Sequence, residues 1–403
     1  MSHLIRRLGH LGDGIADGPV FAPLTLPGEE IEGDVADGKI AQPRIIKPSD
    51  DRVRPPCRHF KSCGGCALQH ASDDFVANWK QKVVETALAS QGLQAEFRPI
   101  ETSPTHSRRR AVLAGRRTKK GVLIGFHGRQ SATLVEVPDC TLLHPDLMAI
   151  VPKMAELVTV AASRKGEVGL HMTLSAAGID LAVRNAKEMQ GAEFAALARF
   201  AEALDLARLS WNGELVVTRR APIQRFGAAQ VVPPPGVFLQ ATADGHAALI
   251  DAVTEIVGRA ARVVDLFAGC GTFALPLAQG AEVHAVESEA QMLEALDEGW
   301  RKAVGLKRVS TEARDLFRRP LMPDELKRYD VAVIDPPRAG GEAQFKEIAK
   351  SRLPVIASVS CNPVTFARDS KLLVDAGFNL DWVQVVDQFR WSPHIEMVAK
   401  FSR

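Results

Sequence analysis

Two side chains near the end of the chain could act as a nucleophile and its base. Cys361 lies in the sequence Ser-Cys-Asn-Pro, and Glu396 follows 35 residues later. A thiolate attacks electrophilic carbon, and a carboxylate within hydrogen-bond reach can remove a proton in the same reaction. A free cysteine is more often an inert small hydrophobic residue, so Cys361 alone does not establish catalysis.

The elements that must position these groups are the strands of a parallel sheet. Cys361 ends the apolar run 354–360, and Asp335 ends the apolar run 329–334. Two prolines follow Asp335, and they fix the backbone in an extended path. Because ligands of open α/β sheets bind outside the carboxyl ends of the strands, we expect Asp335 and Cys361 to face one cleft.

A third predicted strand, 262–267, leads into a glycine turn and a helix amino terminus. Gly269 and Gly271 allow the backbone to approach a ligand closely. Glu287 ends the next predicted strand, where an acidic residue can bind a ribose. The same turn fits a dinucleotide fingerprint, so an oxidoreductase that uses a nicotinamide cofactor and an electron-transfer cluster is an alternative. A non-catalytic RNA-binding protein is another.

Four motifs resemble, in order, those of the S-adenosylmethionine-dependent RNA uracil-C5 methyltransferases: 265–274, 335–340, 360–363 and 394–398. The resemblance implies a Rossmann-like class I methyltransferase domain. It also implies that Cys361 adds to C6 of uracil, which makes C5 nucleophilic, and that Glu396 then removes the C5 proton. Asp335 is implied as a third catalytic residue. His394, on the same predicted strand face as Glu396, either orients the site or is structural.

The resemblance further implies which residues contact S-adenosylmethionine. These predicted cofactor residues are Gln240, Phe267, Gly269, Gly271, Thr272, Glu287, Asp315 and Asp335. The chain departs from the family pattern at Thr242 and Thr272, where asparagine is common. A hydroxyl at these positions lacks the paired donor and acceptor of an amide.

Four of the six cysteines form a second candidate site. Cys57, Cys63 and Cys66 have the spacing C-x5-C-x2-C, and Cys140 lies 74 residues beyond Cys66. Four thiolates can hold zinc or an iron–sulfur cluster, but structural zinc prefers two short paired spacings. The pattern resembles the [4Fe-4S] site of the 23S rRNA members of the family. We therefore predict a structural [4Fe-4S] cluster rather than zinc.

The charge pattern indicates where RNA binds. The net charge is only +2, but nine basic residues and one acid lie between Arg98 and Arg129. Within this segment Arg108, Arg109 and Arg110 resemble a family motif, which favours phosphate contact over a merely solvated face. Residues 1–54 contain nine acids and seven bases, which predicts weak RNA binding by that part. The resemblance favours 23S rRNA, with tRNA as the alternative.

Composition and turn signals divide the chain into three predicted domains. Residues 1–54 read as a short β unit that resembles the TRAM domain, an OB-like barrel, and 55–235 as an α+β central domain with the cysteine site. A proline run at 233–235 precedes the catalytic domain, 236–403. A predicted helix at 73–91 could pack on the catalytic domain. Without a secretory or membrane segment, six cysteines favour a cytoplasmic protein, which we expect to be monomeric.

Overall fold

The computed structural model describes residues 2–189 and 191–403. The amino-terminal part is an antiparallel sheet of five strands in the spatial order β3-β2-β1-β4-β5. Its strands are β1 Ser2–Leu8, β2 Gly14–Ala16, β3 Val20–Ala22, β4 Glu30–Glu32 and β5 Arg44–Lys47. Ile5, Ile31 and Ile40 form its small buried core. A small β unit is therefore present, while its assignment as a TRAM or OB barrel stays a prediction.

A long helix, α1 (Asp73–Ser90), follows the segment with the first three cysteines. The Ser72 side chain caps its start by accepting a hydrogen bond from the Phe75 N–H, and two aspartates in the first turn favour the helix dipole. Val76, Trp79, Val84 and Leu88 are buried at helical spacing. The helix predicted at 73–91 ends one residue earlier in the structure.

The central part is built on a mixed sheet of seven strands in the order β13-β12-β11-β10-β7-β8-β9. Helices pack on it over an apolar core that includes Leu113, Leu147, Leu170 and Leu181. After β6 (Glu101–Thr102), its elements are β7 Arg110–Thr118, β8 Gly121–His127, β9 Leu134–Val135, α2 Pro145–Ile150, the 3-10 turn Val151–Met154, α3 Ala155–Ala161, β10 Glu167–Ser175, β11 Gly178–Arg184, α4 Gly191–Ala203, β12 Arg208–Trp211 and β13 Glu214–Thr218.

The carboxyl-terminal part alternates strands and helices around a sheet of eight strands. A hairpin of β14 and β15 precedes it, and the chain then runs through β14 Gln224–Phe226, β15 Ala229–Val231, α5 Ala243–Val257, β16 Arg262–Leu266, α6 Ala274–Leu277, β17 Glu282–Glu287, α7 Ala290–Lys302, β18 Val309–Ala313, α8 Pro323–Leu326, β19 Val331–Ile334, α9 Glu342–Lys350, β20 Val355–Ser360, α10 Pro363–Asp375, β21 Asn379–Asp387 and β22 Glu396–Ser402.

The strand order β18-β17-β16-β19-β20-β22-β21-β6 determines where the candidate site lies. Strands β16 to β20 are parallel, and the order reverses direction between β16 and β19. A cleft opens at the carboxyl ends of the strands on either side of such a reversal. This Rossmann-like arrangement agrees with the predicted fold of the catalytic domain.

Two elements that precede the linker attach to the carboxyl-terminal part. Strand β6 extends the eight-stranded sheet beside β21, and α1 packs on α10. The predicted domain boundary at residue 235 therefore separates β6 and α1 in sequence from the carboxyl-terminal elements that they contact. No helix in the described ranges is both long and apolar enough to cross a membrane.

Candidate active site

The register of two strands brings Cys361 and Glu396 together. Strand β22 runs antiparallel to β20 with Ser360 opposite Met397. Cys361 directly follows β20 and Glu396 begins β22, so both residues lie at the same end of this strand pair, and the charge of Glu396 acts on the Cys361 thiol. Cys361 and Glu396 are 35 positions apart in sequence, and one pairing of strands brings them to the same edge of the sheet.

Cys361 is protonated at neutral pH when no cofactor is bound. Burial raises the pKa of its thiol to about 12, and the charges of Glu396 and Asp335 act in the same direction. The Arg338 guanidinium opposes these effects. The thiol therefore needs a further positive charge or a base nearby to become a nucleophile.

Asp335 and Glu396 are carboxyl groups with elevated pKa values. Burial raises the pKa of both, and the charge of Asp335 raises that of Glu396 further, to about 8. Glu396 is almost completely buried, and its Oε2 atom has no hydrogen-bond partner among the described residues. Asp335 is partly exposed at the cleft, directly after β19.

Asp265 is a third acidic residue here, and the sequence analysis did not select it. It lies on β16, is completely buried, and neither carboxylate oxygen has a hydrogen-bond partner in the described part of the chain. Burial raises its pKa well above the usual value, and the charges of Asp335 and Glu287 act in the same direction. Its place just before the glycine turn was the only signal in the sequence.

These acidic groups fit a cationic ligand. Within the described ranges, no ion pair involves Asp265, Asp335 or Glu396. Buried carboxyl groups without a cation are costly when ionised. S-adenosylmethionine carries a sulfonium and an ammonium group, and so matches this set in charge.

The glycine turn supplies the cradle beside these acids. Gly269 and Gly271 have φ values of +55° and +92°, and Phe267 has φ +62°. A Cβ atom at Gly271 would lie 2.8 Å from the Leu296 side chain, so the turn has no room for a larger residue there. The Gly269 N–H donates to Glu287 Oε2 over 3.0 Å, which joins the turn to the predicted ribose-binding carboxylate.

Three of the other predicted cofactor residues have identifiable neighbours. Gln240 is buried, and its Oε1 atom accepts a hydrogen bond from Gln388 Nε2 over 2.7 Å. Thr272 follows Gly271 and is partly exposed, and Asp315 accepts a hydrogen bond from the Phe317 N–H over 2.9 Å. Their contacts with a cofactor stay predictions.

Thr242, where the family pattern has asparagine, has a structural role. Its hydroxyl caps α5 by accepting a hydrogen bond from the Gly245 N–H over 3.1 Å, and it lies 2.8 Å from Ser103 Oγ. Threonine is a good residue at a helix amino terminus. The departure from the pattern is thus accommodated locally.

Comparisons with known proteins agree with this geometry. The model of the tRNA (uracil-5-)-methyltransferase family matches residues 233–402. An uncharacterized RNA methyltransferase of Brucella suis is 43% identical over 99% of this chain and 97% of its own length. The 23S rRNA (uracil(1939)-C(5))-methyltransferase RlmD of Shewanella piezotolerans is 31% identical over 99% of this chain and 94% of its own length. The chain belongs to the RNA (uracil-C5)-methyltransferase family.

A solved structure shows that the likeness in fold extends along the whole chain. The tRNA (uracil-54, C5)-methyltransferase of Pyrococcus abyssi, in complex with S-adenosyl-L-homocysteine, superposes with a TM-score of 0.79. It is 23% identical, and the match covers 100% of this chain and 99% of that one. The predicted family and enzyme class, an S-adenosylmethionine-dependent RNA uracil-C5 methyltransferase, are therefore confirmed.

The prediction that His394 shares a strand face with Glu396 is wrong. Strand β22 begins at Glu396, so His394 lies in the preceding loop and is exposed. Its ring packs against the edge of Phe389, with ring centres 5.6 Å apart, and its Nδ1 atom lies 3.4 Å from the Arg338 guanidinium. Proline at 393 and the turn before it interrupt the strand.

The three arginines predicted to bind RNA contact other parts of the methyltransferase. Arg109 donates to the Gln240 carbonyl oxygen over 3.3 Å, and thereby supports a predicted cofactor residue. Arg108 lies over the Phe389 ring and Arg110 over the Phe238 ring. Burial lowers the pKa of all three guanidinium groups. Their contact with phosphate stays a prediction, and Arg109 in particular has a structural role.

A large groove that the sequence analysis missed opens at Cys361. It has a volume of about 990 Å³ and lies between the amino-terminal sheet, α1 and the catalytic edge. Its basic lining comes from all three parts, with Arg6 and Arg7 on β1, Lys82 on α1 and Arg338 beside Cys361. Residues 1–54 contain more acids than bases, so their total charge did not indicate that Arg6 and Arg7 border a groove.

The four cysteines of the second site lie in one region of the methyltransferase. Asp139, next to Cys140, pairs with Arg58 over 2.9 Å and with His59 over 3.1 Å, so it holds the segment that begins at Cys57. Among the described residues, however, no group of three or more His, Cys, Asp or Glu has the spacing to hold a metal ion. The structure gathers the thiols without forming ligand geometry, so the predicted cluster is not supported by it.

Proposed function

We propose that this methyltransferase transfers a methyl group from S-adenosylmethionine to C5 of a uridine in 23S rRNA. The observation that carries the proposal is the pairing of β20 with β22, which brings Cys361 and Glu396 to the edge of the sheet where the glycine turn also lies. The nucleophile, the base and the cofactor turn are then at one edge of the sheet, and Cys361 borders the groove of about 990 Å³.

The reaction begins when the Cys361 thiolate adds to C6 of uracil. The electron pair of the C5–C6 double bond moves toward the C4 carbonyl oxygen, which makes C5 nucleophilic. S-adenosylmethionine supplies an electrophilic methyl group on a positively charged sulfur. After C5 is methylated, its proton passes to the Glu396 carboxylate. The double bond forms again, the C6–Sγ bond breaks, and the thiolate leaves.

The elevated pKa values determine the charge state in which the protein meets its cofactor. Glu396 is mainly protonated at neutral pH in the free protein, because burial and Asp335 raise its pKa to about 8. A sulfonium group bound nearby favours the carboxylate and the thiolate over their protonated forms. Cofactor binding thereby prepares both the nucleophile and the base.

The choice of 23S rRNA depends on the relatives. RlmD of Shewanella piezotolerans is named for 23S rRNA and matches nearly the whole chain at 31% identity. The archaeal structure is that of a tRNA enzyme, but its identity is only 23%. A tRNA substrate is thus the second candidate. In either RNA the target nucleotide must leave its stack to reach Cys361, and a loop or single strand requires the least energy for this.

We place the RNA backbone along the groove beside Cys361. Arg7 and Arg338 offer positive charge to phosphates along its length, whereas the charge of Lys82 is offset by an ion pair with Glu85 over 3.0 Å. The Phe75 side chain is partly exposed, borders the same groove and provides a flat surface for a base next to the target. Arg6 also borders it, but an ion pair with Asp17 over 2.9 Å offsets its charge.

We further propose that Cys57, Cys63, Cys66 and Cys140 hold a [4Fe-4S] cluster. Burial is the main cause of the raised pKa of Cys57, Cys63 and Cys66, and the charge of Cys140 acts in the same direction, so the four sulfur atoms lie in one neighbourhood. As thiolates these four groups would repel one another, and a bound cluster would offset that repulsion and draw them into a ligand set. The cluster would fasten the segment 57–66 to the Cys140 loop and takes no part in methyl transfer.

The proposed reaction is tested by trapping its covalent intermediate. Glu396→Gln keeps the size of the side chain but cannot accept the C5 proton, so the methylated RNA should stay attached to Cys361. We expect a protein–RNA adduct on denaturing gels when S-adenosylmethionine and a 23S rRNA fragment are present. The matched control, Cys361→Ala/Glu396→Gln, should form none. Absence of the adduct with both 23S rRNA and tRNA would show that Glu396 is not the base.

A further inference from the structure

The segment that leads into Glu396 is held by a buried lysine from a different part of the chain. Residues 387–395 connect β21 to β22. Lys80 on α1 is completely buried and donates to Asp387 Oδ1 over 2.5 Å and to the Phe389 carbonyl oxygen over 3.1 Å. Asp387 Oδ1 also accepts a hydrogen bond from the Phe389 N–H over 3.0 Å. One ammonium group thus fixes both ends of a three-residue turn.

Other residues outside the catalytic sheet hold the same segment. The Trp391 carbonyl oxygen accepts hydrogen bonds from the Ala67 N–H over 2.7 Å and the Leu68 N–H over 3.0 Å. Asp73 on α1 accepts hydrogen bonds from Arg390 over 2.5 Å and from Trp391 Nε1 over 3.1 Å. The segment is therefore held at 387, 389, 390 and 391 by residues that lie more than 300 positions earlier.

The backbone of this segment is strained. Trp391 has φ +59°, a conformation that is unfavourable for a bulky residue with a Cβ atom. Strain of this kind persists only where neighbouring groups impose it, and it occurs most often near functional sites. Here the neighbours are Ala67, Leu68 and Asp73.

Stability alone does not account for the Lys80–Asp387 pair. Removing two charges from water costs about as much as their attraction returns, so an apolar pair of similar volume is often at least as stable. What an apolar pair lacks is the hydrogen bond from Lys80 to the Phe389 carbonyl oxygen. The next residue in the turn, Gln388, donates to Gln240, so the turn also faces the predicted cofactor side.

We propose that Lys80 is a positioning residue for proton abstraction: by fixing the 387–389 turn it holds the start of β22, and with it the Glu396 carboxylate, in place. This inference rests on the proposed role of Glu396 as the base. Lys80 is completely buried and does not line the groove. Its effect passes through the segment 387–395 to the base, so the step after methyl transfer should be slowed the most.

The test replaces the ion pair by an apolar pair. Lys80→Met alone would leave the Asp387 carboxylate buried without its cation, so the double variant Lys80→Met/Asp387→Leu is used. We expect it to melt within about 5 °C of the unchanged protein. Its kcat should fall roughly tenfold to hundredfold, because a small displacement of a reacting group has effects of this size. A covalent protein–RNA adduct should accumulate, as proton removal becomes slow. Unchanged kcat without an adduct would overturn the proposal.

A buried ion pair remote from the site provides the matched control. Arg208 and Asp180 in the central part are paired over 2.6 Å, and Arg208 also donates to a backbone carbonyl oxygen, that of Pro233. Arg208→Met/Asp180→Leu removes the same chemistry far from β22. It should form no adduct and should keep the kcat of the unchanged protein. If the control accumulates as much adduct as the Lys80 double variant, the effect is explained by a general loss of stability, and the proposal fails.

A second variant tests the same segment without altering the core. Asp73 is largely exposed, so Asp73→Ala removes its contacts with Arg390 and Trp391 and leaves the fold intact. We expect backbone hydrogen exchange over 388–395 at least about threefold faster, with a smaller amount of adduct than in the double variant. Exchange at the original rate together with no adduct would contradict the proposal, whether or not the double variant folds.

The trapping experiment separates the two possible failures. If Glu396→Gln gives no adduct, the proposed base is wrong and Lys80 has nothing to position. If Glu396→Gln gives the adduct but the Lys80 and Asp73 variants behave like the unchanged protein, only the inference about Lys80 fails.

Discussion

The catalytic edge and the four-cysteine region both gather thiols and charged groups from distant positions, but they do so by different means. At the catalytic edge, the hydrogen-bonded strands β20 and β22 hold Cys361 and Glu396 at the same end of the strand pair. In the cysteine region, turns and the exposed ion pair between Arg58 and Asp139 hold the segments near one another. The hydrogen bonds between paired strands fix which residues are neighbours. Exposed ion pairs contribute little to stability and hold their segments less firmly.

The difference indicates what each region needs in order to function. The catalytic edge has its side chains in place and lacks only a cation to balance Asp265, Asp335 and Glu396. The cysteine region has its thiols nearby but not at the spacing of metal ligands within the described residues. We therefore expect loss of a catalytic thiol to affect chemistry alone, and loss of a cluster thiol to affect folding.

The largest expected effect is that of Cys361→Ala on turnover. Without the thiol no C6 adduct forms, so methyl transfer should fall at least about 10³-fold. The melting temperature and the affinity for S-adenosylmethionine should change little, because Cys361 is partly exposed at the groove. Tritium transfer from labelled S-adenosylmethionine to RNA measures turnover. Calorimetry measures the melting temperature and the affinity for S-adenosylmethionine. Residual turnover above about a tenth of the original would exclude Cys361 as the nucleophile.

The counterpart of this variant in the cysteine region is Cys140→Ser. If the cluster forms, this variant purified without oxygen should lack iron and should melt about 5–10 °C lower. Cys270→Ser is the matched control, because Cys270 is a buried free cysteine outside the cysteine region and should retain the iron content of the unchanged protein. Equal iron content in both variants, or none in the unchanged protein, would remove the basis for the comparison between the two regions.

An intermediate effect is expected on the pH dependence of cofactor binding. Glu396 has a pKa of about 8 in the free protein, and a sulfonium group bound nearby lowers it. Below pH 8, binding must therefore release a proton. The affinity should rise with pH by up to about tenfold per unit between pH 6 and 8, and then level off.

Calorimetry in buffers that differ in ionisation enthalpy measures this proton release directly. S-adenosylhomocysteine, whose sulfur is neutral, should show a weaker dependence on pH, and Glu396→Gln should reduce the proton release. Equal pH dependence for both ligands would show that the acidic groups do not respond to the sulfonium charge. The catalytic edge would then not differ from the cysteine region in needing a cationic ligand.

How far the sequence predicts each region depends on the distance over which its contacts form. Asp335, Cys361 and the glycine turn belong to short motifs at strand ends, so local patterns locate them. Lys80 and Asp387 lie 307 residues apart, and nothing local to either residue indicates the other. His394 lies two residues before Glu396, a spacing that predicts a shared strand face, but the strand begins only at Glu396. The groove was missed because three separate parts of the chain form its walls.

The smallest expected effect concerns the RNA path, which decides whether the amino-terminal sheet belongs with the catalytic edge. Arg7 on β1 is exposed and borders the groove, whereas Arg44 on β5 of the same sheet does not. If Arg7 contacts a phosphate, Arg7→Ala should lower the slope of log affinity against log salt by about one. Arg44→Ala, the matched control, should leave the slope unchanged. An unchanged slope for Arg7→Ala, with a reduced slope for Arg108→Ala, would move the RNA backbone from the groove to the segment first predicted to bind it.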